Sequence, residues 1–343
     1  MRAFYLHGAR DLRLSEVDIP TIEADQVLVR VLATGICGSD QHYYVHGRNG
    51  DFIPERPFVL GHESAGEVVD AGAFGALLPV GSRVAIDPSH PCHLCSQCRQ
   101  GRSNLCPNMR YFGSAACSPP MDGSFREYVP VPASGCYIIP DTLSFEAAAL
   151  LEPLAIALHG VGRAGAVAGR QVLVTGAGPI GQLIGMVAKE YGAARLAVSD
   201  VRDDALQLAT RLWADIPIRA DDAAQMTAAD AAMGGFDVVI EASGAPAALA
   251  VAYQHCKPGG TIVQLGVQPG PATLSVNAIM QKEITVRGSF RFAHVFAAAL
   301  DLVANRKLDL QPLISHRYSF DQLVDGVKTA SDSSSIKVLI DYS

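Results

Sequence analysis

Four cysteines, Cys92, Cys95, Cys98 and Cys106, fall within fifteen residues of a 343-residue chain, spaced Cys-x2-Cys-x2-Cys-x7-Cys. Thiolates at this spacing can wrap one tetrahedral Zn²⁺ at ~2.3 Å per sulfur, which fills the coordination shell and leaves no position open for chemistry. Such a lobe is structural, so any reaction must take place elsewhere. A disulfide framework is the competing reading of eight cysteines. Half of them cluster at metal spacing, and the opening residues, Met1-Arg-Ala-Phe-Tyr-Leu-His-Gly, lack the apolar run of a signal peptide. The expectation is a cytoplasmic protein with a structural zinc.

A chain this long divides more readily into two cores than one. Its 27 basic and 34 acidic residues give a net charge of −7 without a basic stripe, which argues against a nucleic-acid partner. No stretch approaches the ~18 apolar residues of a membrane span. The first 150 or so residues read as short strands and loops, with candidate strands at 26–32, 64–69 and 81–86. From Glu152 the texture changes to strands at 171–175, 195–199, 216–218, 236–242, 261–265 and 284–287, separated by helical stretches at 180–191, 203–214 and 246–256. Alternation of this kind predicts a doubly wound parallel sheet, hence an α/β fold class. A helical stretch at 293–304 and a terminal strand at 337–341 form a tail that can return to the first domain. The expected division is 1–152 completed by 292–343, with 153–291 between.

Val172-Leu-Val-Thr runs directly into Gly176-Ala-Gly178-Pro179-Ile180-Gly181, and a helical stretch follows. In that context the glycines can make the tight turn, admit a pyrophosphate and allow close helix–strand packing. Pro179 suits the first helical turn. Gly266, directly after the strand at 261–265, joins the cofactor-facing set. Asp200 stands nineteen residues beyond Gly181, where a carboxylate can accept from the adenosine ribose hydroxyls and repel a 2′-phosphate. NAD is therefore expected, with NADP as the alternative because Arg202 could turn toward a phosphate.

Cys37, in Gly35-Ile-Cys37-Gly38-Ser39-Asp40-Gln-His42, and His62, in Gly61-His62-Glu63, offer a thiolate and an imidazole for a second zinc. A catalytic zinc takes three protein ligands and keeps one open position. For the third ligand there are two candidates. Glu152, in Leu-Leu-Glu152-Pro153-Leu154, is a carboxylate in an apolar run, where an unpaired charge is costly. Glu63 competes with it, either as a ligand or as a carboxylate beside the ligands paired with an arginine.

These motifs, in this order, resemble the zinc-dependent medium-chain dehydrogenases along the whole chain. The Glu-Pro-Leu segment at Glu152 looks like the polyol (sorbitol) dehydrogenase branch, whose third metal position is a glutamate. Gly-Ile-Cys-Gly-Ser-Asp-x-His-Tyr-Tyr from Gly35, Arg110-x-Phe112-Gly-Ser-Ala and Gly288-Ser-Phe-Arg291-Phe resemble the L-idonate 5-dehydrogenases in particular. The resemblance implies a GroES-like catalytic domain around an inserted Rossmann domain, two zinc ions per chain and a homodimer or homotetramer. It further implies that Ser39 and His42 relay the substrate proton to solvent. The implied reaction moves hydride from a secondary hydroxyl, acidified by zinc, to NAD(P)⁺. The substrate is expected to be a sugar acid or polyol. Arg291 is a candidate for gripping a substrate carboxylate, and its alternatives are pairing with Glu63 or bracing the nicotinamide. Two rival readings are a sorbitol-, xylitol- or threonine-type dehydrogenase and a non-catalytic protein that binds zinc and nucleotide.

Overall fold

The computed structural model describes residues 1–268, 270–306, 308–332 and 334–343. It divides into two compact units, Met1–Glu152 with Phe296–Ser343, and Pro153–Val295.

In the first unit the strand Gln26–Gly35 is the hub of a seven-stranded sheet. It pairs antiparallel with Glu63–Asp70, with Tyr128–Pro132 and with the terminal strand Lys337–Asp341. Its alternating valines, Val27, Val29 and Val31, are buried against Val68, Val84, Ile86, Val129 and Val131, as expected for a sheet with one face turned to a core. A second core joins Phe4, Leu6, Phe58, Leu60 and Phe125 to Leu323, Val327 and Ile340 from the C-terminal tail. The tail thus completes this unit. Register matters most at the end of the hub strand, where Gly35 lies opposite Glu63 on one side and Leu339 on the other.

The second unit is a six-stranded parallel sheet in the order 216–219, 195–200, 171–175, 236–241, 256–264, 285–288. Written by position in the chain this is 3-2-1-4-5-6, the dinucleotide-binding arrangement, with its switch point between the first and fourth strands. Val172, Leu173 and Val174 are fully buried, as a strand covered by helices on both faces requires.

The strand Cys256–Gln264 begins five residues before the expected start at 261. Its pairing jumps from Phe236↔Cys256 to Val238↔Thr261, so Lys257, Pro258, Gly259 and Gly260 form an irregularity that carries no alternating signal. The helix Ala223–Met233 also escaped the sequence reading. Its alanine-rich composition has no apolar stripe, and its start is set by Asp222, which accepts from the backbone N–H groups of Ala224 and Gln225. Glu152, expected in an apolar run, sits in the first turn of the helix Leu151–Ala164.

Candidate active site

The four lobe cysteines have their sulfurs within 4.8 Å of one another. Local backbone geometry gathers them: the N–H of Cys98 points at Cys95 Sγ and that of Cys92 at Cys106 Sγ, each at 3.4 Å. His93 between the first two takes a positive φ of 56°, which bends the chain around them. Backbone N–H donors from Leu94 and Cys95 pull the Cys92 thiol down to about 6, whereas burial and the neighbouring sulfurs push Cys98 up to about 12. Four thiols crowded this closely repel as thiolates unless a cation sits among them, and an all-sulfur set fits a closed zinc site.

A second donor group brings together Cys37, His62 and Glu63, whose ligand atoms lie within 4.8 Å of one another. Cys37 precedes the helix Gly38–His46, and His62 and Glu63 lead into the strand Glu63–Asp70. Asp40 ties the two segments together, because its fully buried carboxylate accepts from the N–H of Cys37 and from the N–H of Gly61, each at 3.0 Å. It also lies 3.8 Å from Nδ1 of His62, which is buried and has no hydrogen-bond partner among the described residues. Burial would lower the His62 imidazole, but Asp40 and the Cys37 sulfur hold it well above its ordinary value. Surroundings that retain a proton so strongly would equally retain a metal cation, and thiolate, imidazole and carboxylate are the donor types that zinc takes.

The two glutamates behave differently. Glu63 belongs to the donor group, yet both of its oxygens also accept from the buried ammonium of Lys337, at 2.7 and 2.8 Å. A Cβ at Gly35 would lie 2.0 Å from Glu63 Oε2, so the glycine opposite makes room for that carboxylate. Its cationic partner is a lysine, not the arginine the sequence reading had offered. Glu152 lies outside the three-residue donor group and accepts from the Tyr111 hydroxyl at 2.5 Å. Burial, opposed by the nearby His62, raises its carboxyl to about 7. Distance therefore places Glu63, and not Glu152, with Cys37 and His62 among the described residues. Glu152, 3 % exposed and, among the described residues, without a directly bonded cation, is the carboxylate left for a metal charge to compensate.

Ser39 and His42 lie on the helix Gly38–His46, and among the described residues no hydrogen bond joins their side chains. His42 instead stacks on His46 with centroids 5.9 Å apart. Arg291 takes a positive φ of 52° and holds its guanidinium 4.8 Å from the centre of the Phe290 ring.

In the second unit Gly176 has a φ of 93°, and a Cβ on Gly181 would lie 1.8 Å from the Gly176 carbonyl oxygen. Only glycine fits either position. A Cβ on Gly178 would meet nothing within 4 Å, so backbone and open space face each other there. Pro179 begins the helix Pro179–Glu190, with Ile180 following. The loop is braced from beneath by Gln182, which donates to the carbonyls of Ala177 and Ala205 and accepts from Trp213 Nε1. Asp200 accepts from the N–H groups of Ala177 and Arg202, at 2.6 and 2.9 Å. It lines a cavity of about 530 Å³ with Gly176, Ser199, Asp221, Ser243 and Ala248. The Arg202 guanidinium forks onto Asp204, at 2.6 and 3.2 Å. Gly266 packs against the Gly244 backbone and the Glu241 carboxylate. A glycine-lined turn at a helix start beside such a cavity fits a dinucleotide.

Sequence reasoning missed Asp40, Lys337 and Tyr111. Asp40 stood inside the quoted Cys37 motif and was readable in principle as a carboxylate behind a histidine. Lys337 carried no local signal, because 274 residues separate it from Glu63.

Residues 23–141 match the alcohol dehydrogenase GroES-like domain, and residues 179–305 match the zinc-binding dehydrogenase domain. The chain is 35% identical over 333 residues to sorbitol dehydrogenase of Bacillus subtilis, covering 96% of this chain and 93% of that protein. It is 38% identical over 349 residues to D-xylulose reductase of Saccharomyces cerevisiae, covering 99% and 97%. The crystal structure of L-idonate 5-dehydrogenase from Escherichia coli superposes with a TM-score of 0.94 at 34% identity, covering 99% of this chain and 98% of that one. With a GroES-like domain, a Rossmann domain and full-length relatives, the chain belongs to the zinc-dependent medium-chain alcohol and polyol dehydrogenases, enzymes whose cofactors are zinc and NAD(P).

Proposed function

We propose that this enzyme oxidises a secondary hydroxyl of a sugar acid or polyol with NAD⁺, and that L-idonate, giving 5-keto-D-gluconate, is its substrate. The observation that carries the reaction type is the Cys37, His62 and Glu63 donor group, with Glu152 as a further buried carboxylate in the same unit. When bound, zinc supplies Lewis acidity that makes a hydroxyl easier to deprotonate, and the nicotinamide accepts the hydride. The chain's own residues do the rest. Asp40 fixes the two ligand segments, Lys337 holds the Glu63 carboxylate in place, and Ser39 with His42 carries the released proton away. Ser39 suits this role because its hydroxyl can donate and accept at once. Cys92, Cys95, Cys98 and Cys106 hold a second, structural zinc.

L-idonate is supported by the motifs around Gly35, Arg110 and Gly288 and by the TM-score of 0.94 to the Escherichia coli enzyme. The sorbitol and D-xylulose names among the relatives support a neutral polyol as the second reading. NAD⁺ is favoured because Asp200 faces the nucleotide cavity while Arg202 is bound to Asp204. A panel of aldonic acids and polyols, each assayed with NAD⁺ and NADP⁺, tests these assignments. Activity with sorbitol or xylitol and none with L-idonate would move the enzyme to the neutral-polyol reading. The assembly proposed with it is a homodimer or homotetramer.

A further inference from the structure

We infer that preference for NAD⁺ over NADP⁺ is enforced by a set of aspartates that pre-empt the cationic groups and the helix terminus around the ribose end of the cavity, beyond what Asp200 does alone. The inference rests on the nucleotide reading of that cavity.

A 2′-phosphate brings about two negative charges and needs a guanidinium fork or a free helix N-terminus to hold it. The structure has all three candidates close to Asp200. Arg202 follows two residues later, Arg219 is the register partner of Asp200 on the neighbouring strand, and Ala223, first residue of the helix Ala223–Met233, lines the cavity. Each is already occupied. Arg202 forks onto Asp204. Arg219 forks onto Asp221 at 3.0 and 2.7 Å, and its remaining arm reaches Asp203 at 2.9 Å. Asp222 accepts from the N–H groups of Ala224 and Gln225, the second and third residues of the helix, at 2.9 and 3.1 Å.

Asp221 has a double position, because it lines the cavity and also turns Arg219 aside. Exposed ion pairs of this kind contribute little to stability, so their effect here is on direction: they aim two guanidiniums at protein carboxylates. The surrounding charge is also unfavourable to a phosphate, with five aspartates (200, 203, 204, 221 and 222) against two arginines (202 and 219).

The experiment compares binding of adenosine 2′,5′-bisphosphate with binding of ADP to the zinc-loaded full chain, by displacement of NADH. Trp213, the single tryptophan, lies in the same unit as the cavity and serves as the energy-transfer donor for reading NADH. Replacing Asp204→Asn and Asp221→Asn together is expected to raise the affinity ratio of the bisphosphate to ADP by about tenfold, with the gain shrinking as salt rises. Adding Arg202→Gln and Arg219→Gln to that protein is expected to abolish the gain. The ratio of kcat/KM for NADP⁺ to that for NAD⁺ should move in parallel. An unchanged ratio in a protein that still binds ADP overturns the inference alone, as does a gain that survives loss of both arginines. Failure of the unaltered protein to bind ADP or NADH overturns the nucleotide reading and the inference with it.

Discussion

The ammonium of Lys337 lies 2.7 and 2.8 Å from the two carboxylate oxygens of Glu63, and both side chains are buried. Lys337 also donates to the carbonyl of Ile36, the residue before Cys37. One cation from the terminal strand therefore holds both a proposed metal ligand and the segment that carries another.

In the zinc-free protein, removing that cation leaves Glu63 buried without its ion-pair partner. Lys337→Met should destabilise the first unit by ~3–5 kcal/mol, the usual cost of breaking a buried pair from one side. Urea denaturation followed by circular dichroism checks this. A loss below about 1 kcal/mol would mean that Glu63 finds another partner or takes up a proton.

Metal analysis should find about two zinc ions per chain, one in a closed and one in an open site. Mild chelation should remove the open-site ion first, because three protein ligands leave one coordination position for the chelator to attack. Cys37→Ser should keep the fold and lose one ion, whereas Cys98→Ser should lose the other and lower Tm. Glu63→Gln should weaken open-site zinc binding more than Glu152→Gln does, and the reverse order would make Glu152 the third ligand.

Gly181→Ala drives a methyl group to within 1.8 Å of the Gly176 carbonyl oxygen. The turn and helix must separate, so NADH affinity should fall by about tenfold or more. Titration by energy transfer from Trp213 measures it, and unchanged affinity would show that the turn yields without harm to the cofactor site.

Arg291→Ala tests the sugar-acid reading. Activity toward L-idonate should fall far more than activity toward a neutral polyol, mainly through KM, if the guanidinium grips the carboxylate. Equal losses on both substrates would place Arg291 in support of metal or cofactor instead.

Asp237 accepts from the N–H of Gln171 at 2.8 Å and from Lys257 at 3.0 Å. Burial would raise its carboxyl, but these two donors bring it below the usual value. A depressed folded-state pKa stabilises above the unfolded value of about 4 and is lost as pH falls through the folded one. The stability gap between the unaltered protein and Asp237→Asn should therefore be widest near neutrality and close in acid. A gap that persists at low pH would mean that the carboxylate's charge is not what matters.

The clustering of four cysteines and the glycine turn were legible in the sequence because their partners are local. Cys92, Cys95, Cys98 and Cys106 are gathered by turns within one short stretch, and Gly176, Gly178 and Gly181 act through the strand and helix they join. The parallel sheet was legible for a similar reason, since each buried strand carries its own apolar run. Tertiary structure alone decided which glutamate stands with Cys37 and His62. Glu63 and Glu152 are both buried acids beside short motifs, and only the register of Gly35 between Glu63 and Leu339 shows that Lys337 reaches the first. It also decided where Arg202 and Arg219 point. A guanidinium on a flexible stem follows whichever carboxylate the fold brings nearest, and the chain's local pattern does not encode that distance.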